Sequence, residues 1–231
     1  MTGSQGGVGR RRPSVYLDHV LVPCVDLDEA ARRFEREYGL VAVTGGRHPG
    51  AGTANRVVPL GTTYIELIAV VDEREALALP RSRRVLAAAR AGLPFTTWAA
   101  RTDDLDAMRA ALLAEGRRPP PILPGARRRP DGVLLEWRTQ ELVPDAEPSV
   151  LPFLIEWRVP PELHPAGAAV RHHSGAGDIV FARFTAPDPA PARAELRALI
   201  GDHLAFEVAE GERPELVMVQ LESPGGRIRI P

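Results

Sequence analysis

The amino-acid sequence predicts a mixed α+β protein in which one supersecondary unit, β-α-β-β-β, is used repeatedly. Within residues 15–71, a Val- and Leu-rich run is followed by apolar residues at helical spacing and then by three short runs punctuated by glycine. Two later segments follow the same order. An Asp-Leu-Asp motif and an Ile-Glu pair occur in both of the first two segments. Their spacing of roughly 80–90 residues is too long for a solenoid and indicates copies of one unit.

The first unit begins with Val15–Cys24, whose aliphatic composition is typical of a buried strand. The helix after it is predicted from Asp26, a suitable N-cap, and from Glu29, which completes a capping-box-like start. Gly39 is typical of a helix C-terminus. The next three strands are predicted at Leu40–Thr44, Thr53–Leu60 and Thr63–Val71.

The second unit follows a connecting helix at Ser82–Ala91 and begins with the strand PFTTWAART and the helix DDLDAMRAALLAEG. Prolines crowd residues 117–132, and proline cannot donate to the ladder of a central strand. The second strand of this unit is therefore expected to be short, at a sheet edge or absent. Two further strands are predicted in GVLLEWRTQEL and LPFLIEWRV.

A third βαβββ-like unit is predicted at the C-terminal end, where a strand, a helix and three strands recur by pattern alone. The chain is accordingly divided into four parts. These are a disordered leader at 1–13, a first module at 14–80, a connector helix and second module at 81–160, and the third unit at 161–231.

Composition excludes several classes of function. The net charge of −1 provides no basic field for nucleic acid or an anionic membrane surface. No apolar run approaches the roughly 20 residues of a membrane span, and the N-terminus lacks the apolar region of a signal peptide. The single cysteine, Cys24, excludes an intramolecular disulfide and fits a reducing cytoplasm. We therefore expect a cytoplasmic protein whose partner is a small molecule.

Two polar residues, Asp18 and His19, interrupt the first predicted strand. The imidazole is either a core histidine that has found a hydrogen-bond partner or the first ligand of a metal site. In a regular pleat, successive side chains point to opposite faces, so Asp18 is not expected to join His19 as a ligand. The rest of the chain has to decide between these readings.

The order of these motifs resembles the vicinal-oxygen-chelate superfamily, and within it the glyoxalase-like domain proteins. The superfamily includes glyoxalase I, extradiol dioxygenases and the fosfomycin and bleomycin resistance proteins. This resemblance implies paired βαβββ modules that form an open, curved eight-stranded sheet around a cleft, with a divalent metal ion at its bottom. The segments that carry it are LDHVLVPCVDLDEAARRFEREYGL, TTYIELIAV, WAARTDDLDA and LPFLIEWR.

The resemblance implies that His19, Glu66 and Glu156 hold the metal, with Glu66 and Glu156 also available as catalytic residues. One imidazole and two carboxylates favour Mn, Fe or Mg, with Zn also allowed. A carboxylate that is not bound to the metal is available as a general base. Glu136 lies in a similar local sequence, and Glu156 is preferred because it repeats the Ile65-Glu66 pair.

The chain departs from the superfamily pattern at the position opposite His19, where it has Thr97 or Trp98. Neither is a good metal ligand, so the metal either keeps open positions or has been lost. Trp98, Thr97, His48 and Trp157 are candidate substrate contacts, with the tryptophans forming either an aromatic wall or plain core.

Two functions from different classes remain open at this point. The first is a metal-dependent isomerase, lyase or dioxygenase acting on a small organic molecule that chelates the cation through two oxygens. The second is a metal-free binding protein that sequesters a hydrophobic metabolite or drug in the same cleft. The resemblance also allows a homodimer.

Overall fold

The computed structural model describes residues 12–144 and 147–231, so the predicted leader at 1–13 lies outside the described residues except for its last two positions. These residues form two sheets, one of eight strands and one of four. Among them, no helix is long and apolar enough to cross a membrane.

The first βαβββ module has the predicted order of elements, but its second strand lies at Val43–His48 and not at the predicted Leu40–Thr44. The Asp26 side chain accepts hydrogen bonds from the backbone N–H groups of Asp28 and Glu29, and Gly39 ends the helix with a left-handed φ of 65°. The last strand of the module pairs in parallel with its first strand. The elements are β1 (Tyr16–Cys24), α1 (Leu27–Tyr38), β2 (Val43–His48), β3 (Thr53–Pro59) and β4 (Tyr64–Val70).

The second module continues the same sheet. β1 pairs antiparallel with β5, which gives the strand order β2-β3-β4-β1-β5-β8-β7-β6. β6, which contains Pro124 and follows three other prolines, lies at the end of this order, as an edge strand should. The elements are α2 (Glu73–Leu77), α3 (Pro80–Arg90), β5 (Thr97–Arg101), α4 (Leu105–Ala114), β6 (Leu123–Arg128), β7 (Leu134–Gln140) and β8 (Phe153–Trp157).

The eight-stranded sheet curls until its two end strands meet, which confirms the predicted curved sheet and almost closes it. β2 lies against β6, and the guanidinium of Arg127 donates a hydrogen bond to the carbonyl oxygen of Gly45. The sheet therefore has an inner face and an outer face.

The third unit has the predicted order of one strand, one helix and three strands, but its strands are arranged differently. Their order is β10-β9-β11-β12, so β9 pairs in parallel with the next strand of the chain, whereas β1 pairs with β4. The elements are β9 (Ile179–Ala186), α5 (Pro189–Ile200), β10 (Ala205–Glu210), β11 (Glu215–Leu221) and β12 (Ile228–Ile230).

Most of the apolar core lies on the outer face of the large sheet, under α1, α4 and the second sheet. Phe34 of α1 and Leu112 of α4 are fully buried there, and the rings of Trp98 and Phe184 meet at 5.7 Å between the two sheets. The inner face carries a smaller apolar cluster, which α3 completes with Val85. The rest of the inner face is free to carry polar groups.

The chain between the two sheets is fixed to the first module by two polar side chains. Asp178 Oδ1 accepts hydrogen bonds from the backbone N–H groups of Thr62 and Thr63 and from the Thr63 hydroxyl, at 2.8, 2.8 and 2.9 Å. His172 Nδ1 accepts from the N–H of Val41, and its Nε2 donates to the carbonyl of Pro59. His172 is thus a structural residue.

The Asp178 contacts generate a stability prediction. We expect Asp178→Ala to lower the free energy of unfolding by about 1–3 kcal/mol, because it leaves a buried hydroxyl and two backbone donors without their acceptor. Urea unfolding followed by circular dichroism measures the change. Asp103→Ala, which truncates an exposed aspartate, is the control and should stay within about 0.5 kcal/mol of the native protein. Equal unfolding curves for the two variants would contradict the prediction.

Candidate functional site

A group of buried polar side chains lies on the inner face of the large sheet and is called here the inner polar cluster. Its members are Asp18, His19, His48, Asn55 and Glu66. They come from β1, β2, β3 and β4, so the first module alone supplies them.

The cluster exists because β1 departs from a regular pleat. Its pairing with β5 matches Leu17 with Ala100 and His19 with Ala99, which leaves Asp18 as an extra residue. The two adjacent side chains consequently reach each other, and His19 Nδ1 lies 2.6 Å from Asp18 Oδ1. The expectation that Asp18 points away from His19 was wrong, because it assumed an unbroken alternation.

The other ring nitrogen of His19 faces Glu66. Its Nε2 lies 3.5 Å from Glu66 Oε2, and its ring stacks on Tyr64 at a centroid distance of 4.3 Å. The amide nitrogen of Asn55 donates a hydrogen bond of 2.6 Å to the other oxygen of Glu66. His19 is 3% exposed and Glu66 6%, so carboxylate and imidazole are both removed from bulk water.

Asp18 has further donors on its second oxygen. The indole N–H of Trp157 donates to Oδ2 at 3.1 Å, and Nε2 of His164 lies 3.0 Å from the same atom. Asp18 is fully buried. Every oxygen of this carboxylate is therefore satisfied, as a buried charge requires.

His48 lies on the other side of Glu66. Its Nδ1 contacts the Thr53 hydroxyl at 2.9 Å, and its Nε2 lies 3.8 Å from Glu66 Oε1. The ring of Trp137 meets it edge-on at 6.0 Å. The structure thus brings His48 to Glu66, inside the sheet rather than at the mouth of the cleft.

Burial and charge act in opposite directions on the ionisation of the cluster. Burial alone would raise the pKa of Asp18 and of Glu66, but hydrogen bonds and charges from the histidines outweigh it, lowering the pKa of Asp18 and bringing that of Glu66 to about 2. Burial would lower the pKa of His19, but Asp18 and Glu66 raise it. The two carboxylates therefore favour the protonated, imidazolium form of His19, which lies between them.

His48 of the cluster and Tyr64, which stacks on His19, stay neutral. Burial lowers the pKa of His48 to about 4, so its imidazole is uncharged at neutral pH. Burial also raises the pKa of Tyr64 well above its ordinary value, with Asp18 and Glu66 adding to the effect, so the phenol keeps its proton.

Glu156, predicted as a metal ligand and catalytic residue, is not part of the cluster. Along β8, Ile155 and Trp157 belong to the inner face, so the alternation of the strand sends Glu156 outward. There it accepts from the backbone N–H of Leu105 and pairs with Arg138 and Arg158. The predicted set of His19, Glu66 and Glu156 is corrected accordingly.

The remaining predicted contacts divide between the two faces. Trp157 lies on the inner face beside Asp18. Trp98 is buried on the outer face, where its indole N–H donates to the carbonyl of Val150 at 2.8 Å. Thr97 and Trp98 border a separate cavity of about 270 Å³ between α3 and the second sheet. The structure therefore does not bring Trp98 to His19.

The donor set was tested for the divalent metal ion that the sequence resemblance implies. His19 fits, because a carboxylate on Nδ1 typically orients a ligating imidazole. Glu66 adds a second donor within 3.5 Å of it. In the part of the chain that the structure describes, however, no group of three or more His, Cys, Asp or Glu side chains is arranged to hold a metal ion. These residues do not form a metal site of the protein's own.

Comparison with known proteins first identifies the class. Residues 17–200 match the family model described as the glyoxalase-like domain, and the curved sheet built of two βαβββ modules is the vicinal-oxygen-chelate fold. The chain belongs to the glyoxalase-like domain family. No curated protein matches it.

One solved structure agrees with this fold, and two others have lower similarity. A hypothetical protein from Staphylococcus aureus superimposes with a TM-score of 0.75 at 13% identity, covering 93% of this chain and 98% of that one. Methylmalonyl-CoA epimerase from Mycobacterium tuberculosis is 24% identical with a TM-score of 0.45, over 64% of this chain and 90% of that one. A variant of the Streptomyces coelicolor epimerase with bound 2-nitronate-propionyl-CoA is 18% identical with a TM-score of 0.45, over 64% and 96%. The first of these shows the fold, and none of them assigns an activity.

Several residues of the site were missed from the sequence. Asn55 could have been found, because asparagine is uncommon in strands and stands inside the predicted strand Thr53–Leu60. Asp18 was set aside because a bulge leaves no mark in the sequence. His164 could not have been found, since it reaches Asp18 from residues that only the folded chain brings near.

The donor set generates a prediction about metal. We expect the protein to carry less than one equivalent of any divalent metal after purification, and its melting temperature to be unchanged by EDTA or by added Mn²⁺ or Zn²⁺. A ligand that does not bind the folded state cannot stabilise it. Plasma mass spectrometry and thermal unfolding measure the two quantities.

The contradicting result is specific. It is one retained equivalent of metal with a melting temperature that falls in EDTA, lost in Glu66→Gln and kept in Glu156→Gln. These two variants make the same change on opposite faces of the sheet.

Proposed function

We propose that the protein is an enzyme that moves a proton on a small organic molecule bound inside the eight-stranded sheet. Glu66 is its base and His19 its acid. The observation that carries the proposal is the contact of three buried titratable groups in a row, Asp18, His19 and Glu66.

A contribution to folding stability does not explain why Asp18, His19 and Glu66 are buried together. Removing charges from water costs several kcal/mol for each ion, and apolar residues of the same size often stabilise a core as well or better. Groups whose pKa values are strongly shifted by burial and by a specific partner are concentrated at active sites. The inner polar cluster is buried, and its pKa values are shifted by specific partners within it.

The contact with His19 keeps Glu66 weakly basic while the site is free of substrate. The 3.5 Å between His19 Nε2 and Glu66 Oε2 is longer than an ordinary hydrogen bond. A substrate oxygen that takes the hydrogen bond of His19 removes the hydrogen bond that lowers the Glu66 pKa. That pKa then rises toward the range in which a carboxylate removes a proton effectively.

His19 is held ready to stabilise negative charge. Asp18 fixes Nδ1 and keeps the ring protonated, so the Nε2–H group faces the inside of the sheet. When Glu66 removes a proton from the carbon next to a carbonyl, charge develops on the carbonyl oxygen. A preformed imidazolium donor at that oxygen lowers the barrier.

This chemistry selects among the reactions that the sequence left open. Proton transfer next to a carbonyl is a step of isomerases and of lyases, and the residues present supply both the base and the acid. No oxygen-activating group is needed, so the dioxygenase alternative is not part of the proposal. The substrate is a small molecule with two neighbouring oxygens, one of which faces His19.

A second function, metal-free sequestration of an apolar ligand, is favoured by one observation. Trp137 and Trp157 lie 5.4 Å apart on the inner face, next to the cluster. Aromatic walls of this kind bind hydrophobic molecules. This function needs no ionised pair, so substitution at Glu66 separates the two candidates.

Hydrogen–deuterium exchange tests the proton-transfer proposal. Straight- and branched-chain 2-oxo acids are incubated with the protein in D₂O, and the loss of the C3 proton signal is followed by NMR. We expect exchange above the buffer rate, lowered about 100-fold or more in Glu66→Gln, because that is the usual contribution of a general base.

The control is Glu156→Gln, which makes the same change on the outer face and should keep the native rate. Exchange that is equal in the native protein and in Glu66→Gln would refute the role of Glu66. Ligand binding without any exchange would favour sequestration.

A further inference from the structure

A second feature of the inner face, outside the cluster, is a cavity of about 520 Å³ that one buried arginine borders. It lies between β2 and β3 on one side and the β6–β7 hairpin on the other, with residues 162–169 along its rim. Its volume is that of a site for a small molecule. Apolar walls come from Val43, Val57 and Leu135.

The arginine of this cavity, Arg127, is only 4% exposed. Within residues 12–144 and 147–231, no carboxylate lies at ion-pair distance from it, and its guanidinium donates to the carbonyl of Gly45. Its neighbour Arg129 is different, since it pairs with Asp131 at 2.6 Å. A buried charge normally has a partner of opposite sign at contact distance. The described residues supply no such partner to Arg127, so a bound anion could take this place.

The charges around Arg127 are compatible with an anion bound in the cavity. Burial lowers the pKa of Arg127, and the nearby Tyr64 and Glu66 raise it again, so the guanidinium remains a cation. The acidic residues that border the cavity are Asp131, which is engaged by Arg129, and Glu162, which is exposed. Neither neutralises Arg127.

The cavity also adjoins the inner polar cluster. Val57 stands opposite Glu66 in the pairing of β3 with β4, and His164 both borders the cavity and contacts Asp18. A molecule anchored at Arg127 therefore extends toward Glu66 and His19. Two guanidinium groups border the cavity, and that of Arg129 is paired with Asp131. Apolar walls around the remaining guanidinium of Arg127 suit an anion of one charge with a hydrocarbon body.

We propose that Arg127 anchors the carboxylate of the substrate, so that the protein acts on small organic acids with an apolar body. This inference rests on the proposed proton-transfer function and names its substrate class. The carboxylate is held at Arg127, and the carbonyl and the reacting carbon lie beside His19 and Glu66.

Calorimetric titration with the 2-oxo acids and their methyl esters tests the anchor. We expect the acids to bind about 10- to 100-fold more tightly than the esters, because a hydrogen-bonded charge pair has that effect on affinity. Arg127→Met, which removes the charge but keeps an unbranched apolar stem, should lose this preference. Arg128→Met, which makes the same change at an exposed position of the same strand outside the cavity lining, is the matched control and should bind the acids as the native protein does.

Thermal unfolding distinguishes an anchoring role of Arg127 from a purely structural one. We expect ligand-free Arg127→Met to melt at or above the native temperature, because it removes a buried charge without a partner. A clear fall in melting temperature would show that Arg127 holds β6 against β2, and would overturn the proposal. Failure of every acid to bind, or equal binding of acids and esters, would also overturn it.

Two further measurements distinguish the carboxylate anchor at Arg127 from the proton transfer by Glu66 and His19. Glu66→Gln should still bind the acids while losing exchange, so binding without exchange in the native protein would refute proton transfer and leave the anchor standing. Exchange that survives in Arg127→Met at the native rate would refute the anchor alone. Tighter binding of inorganic phosphate than of any acid would assign the cavity to phosphorylated ligands and overturn the carboxylate assignment.

Discussion

A single extra residue in β1 determines the chemistry of this protein. The shift of pairing after Leu17 places Asp18 and His19 side by side on a strand that would otherwise separate them. Asp18 then fixes the imidazole, and the imidazole faces Glu66 on the neighbouring strand β4. Without the shift, one of the two side chains would enter the apolar core of the outer face, where its charge would have no partner.

The surrounding structure tolerates this charged centre because the two faces of the sheet have separate tasks. The outer face holds most of the apolar core, including Phe34, Trp98 and Phe184, and packs against helices and the second sheet. The inner face carries less apolar surface and can therefore keep ionised groups, provided that each has hydrogen-bond partners. Division of this kind lets one sheet supply both stability and a reactive site.

The fold was largely predictable, since it depends on local features that a sequence displays. Asp26 and Gly39 delimit α1 as expected, and the prolines before β6 place that strand at an edge. The pairing of β9 with β10 was not predictable, because the order of elements along the chain does not determine which strands become neighbours.

The site was predictable only in part. Glu66 and His19 were found from their strands, but Glu156 was assigned to the same site as its neighbour Trp157. The period of two along a strand forbids that, because adjacent residues face opposite sides. Trp98 was predicted to contact the ligand, because the sequence does not show that the second sheet covers this side chain. Arg127 was not identified, because its position among other arginines and prolines gives no sign that the folded chain buries it.

The titration of His19, followed by NMR of the imidazole carbon-bound protons, bears most directly on the buried chain of charges. The structure predicts a pKa above the ordinary value of about 6.5, lowered in Asp18→Asn and in Glu66→Gln and unchanged in Glu156→Gln. The corresponding stabilisation is complete below about pH 6.5 and is lost as the pH rises through the pKa of folded His19. A His19 that titrates at or below about 6.5, or that is unaffected by Asp18→Asn, would contradict the role given to this chain of charges.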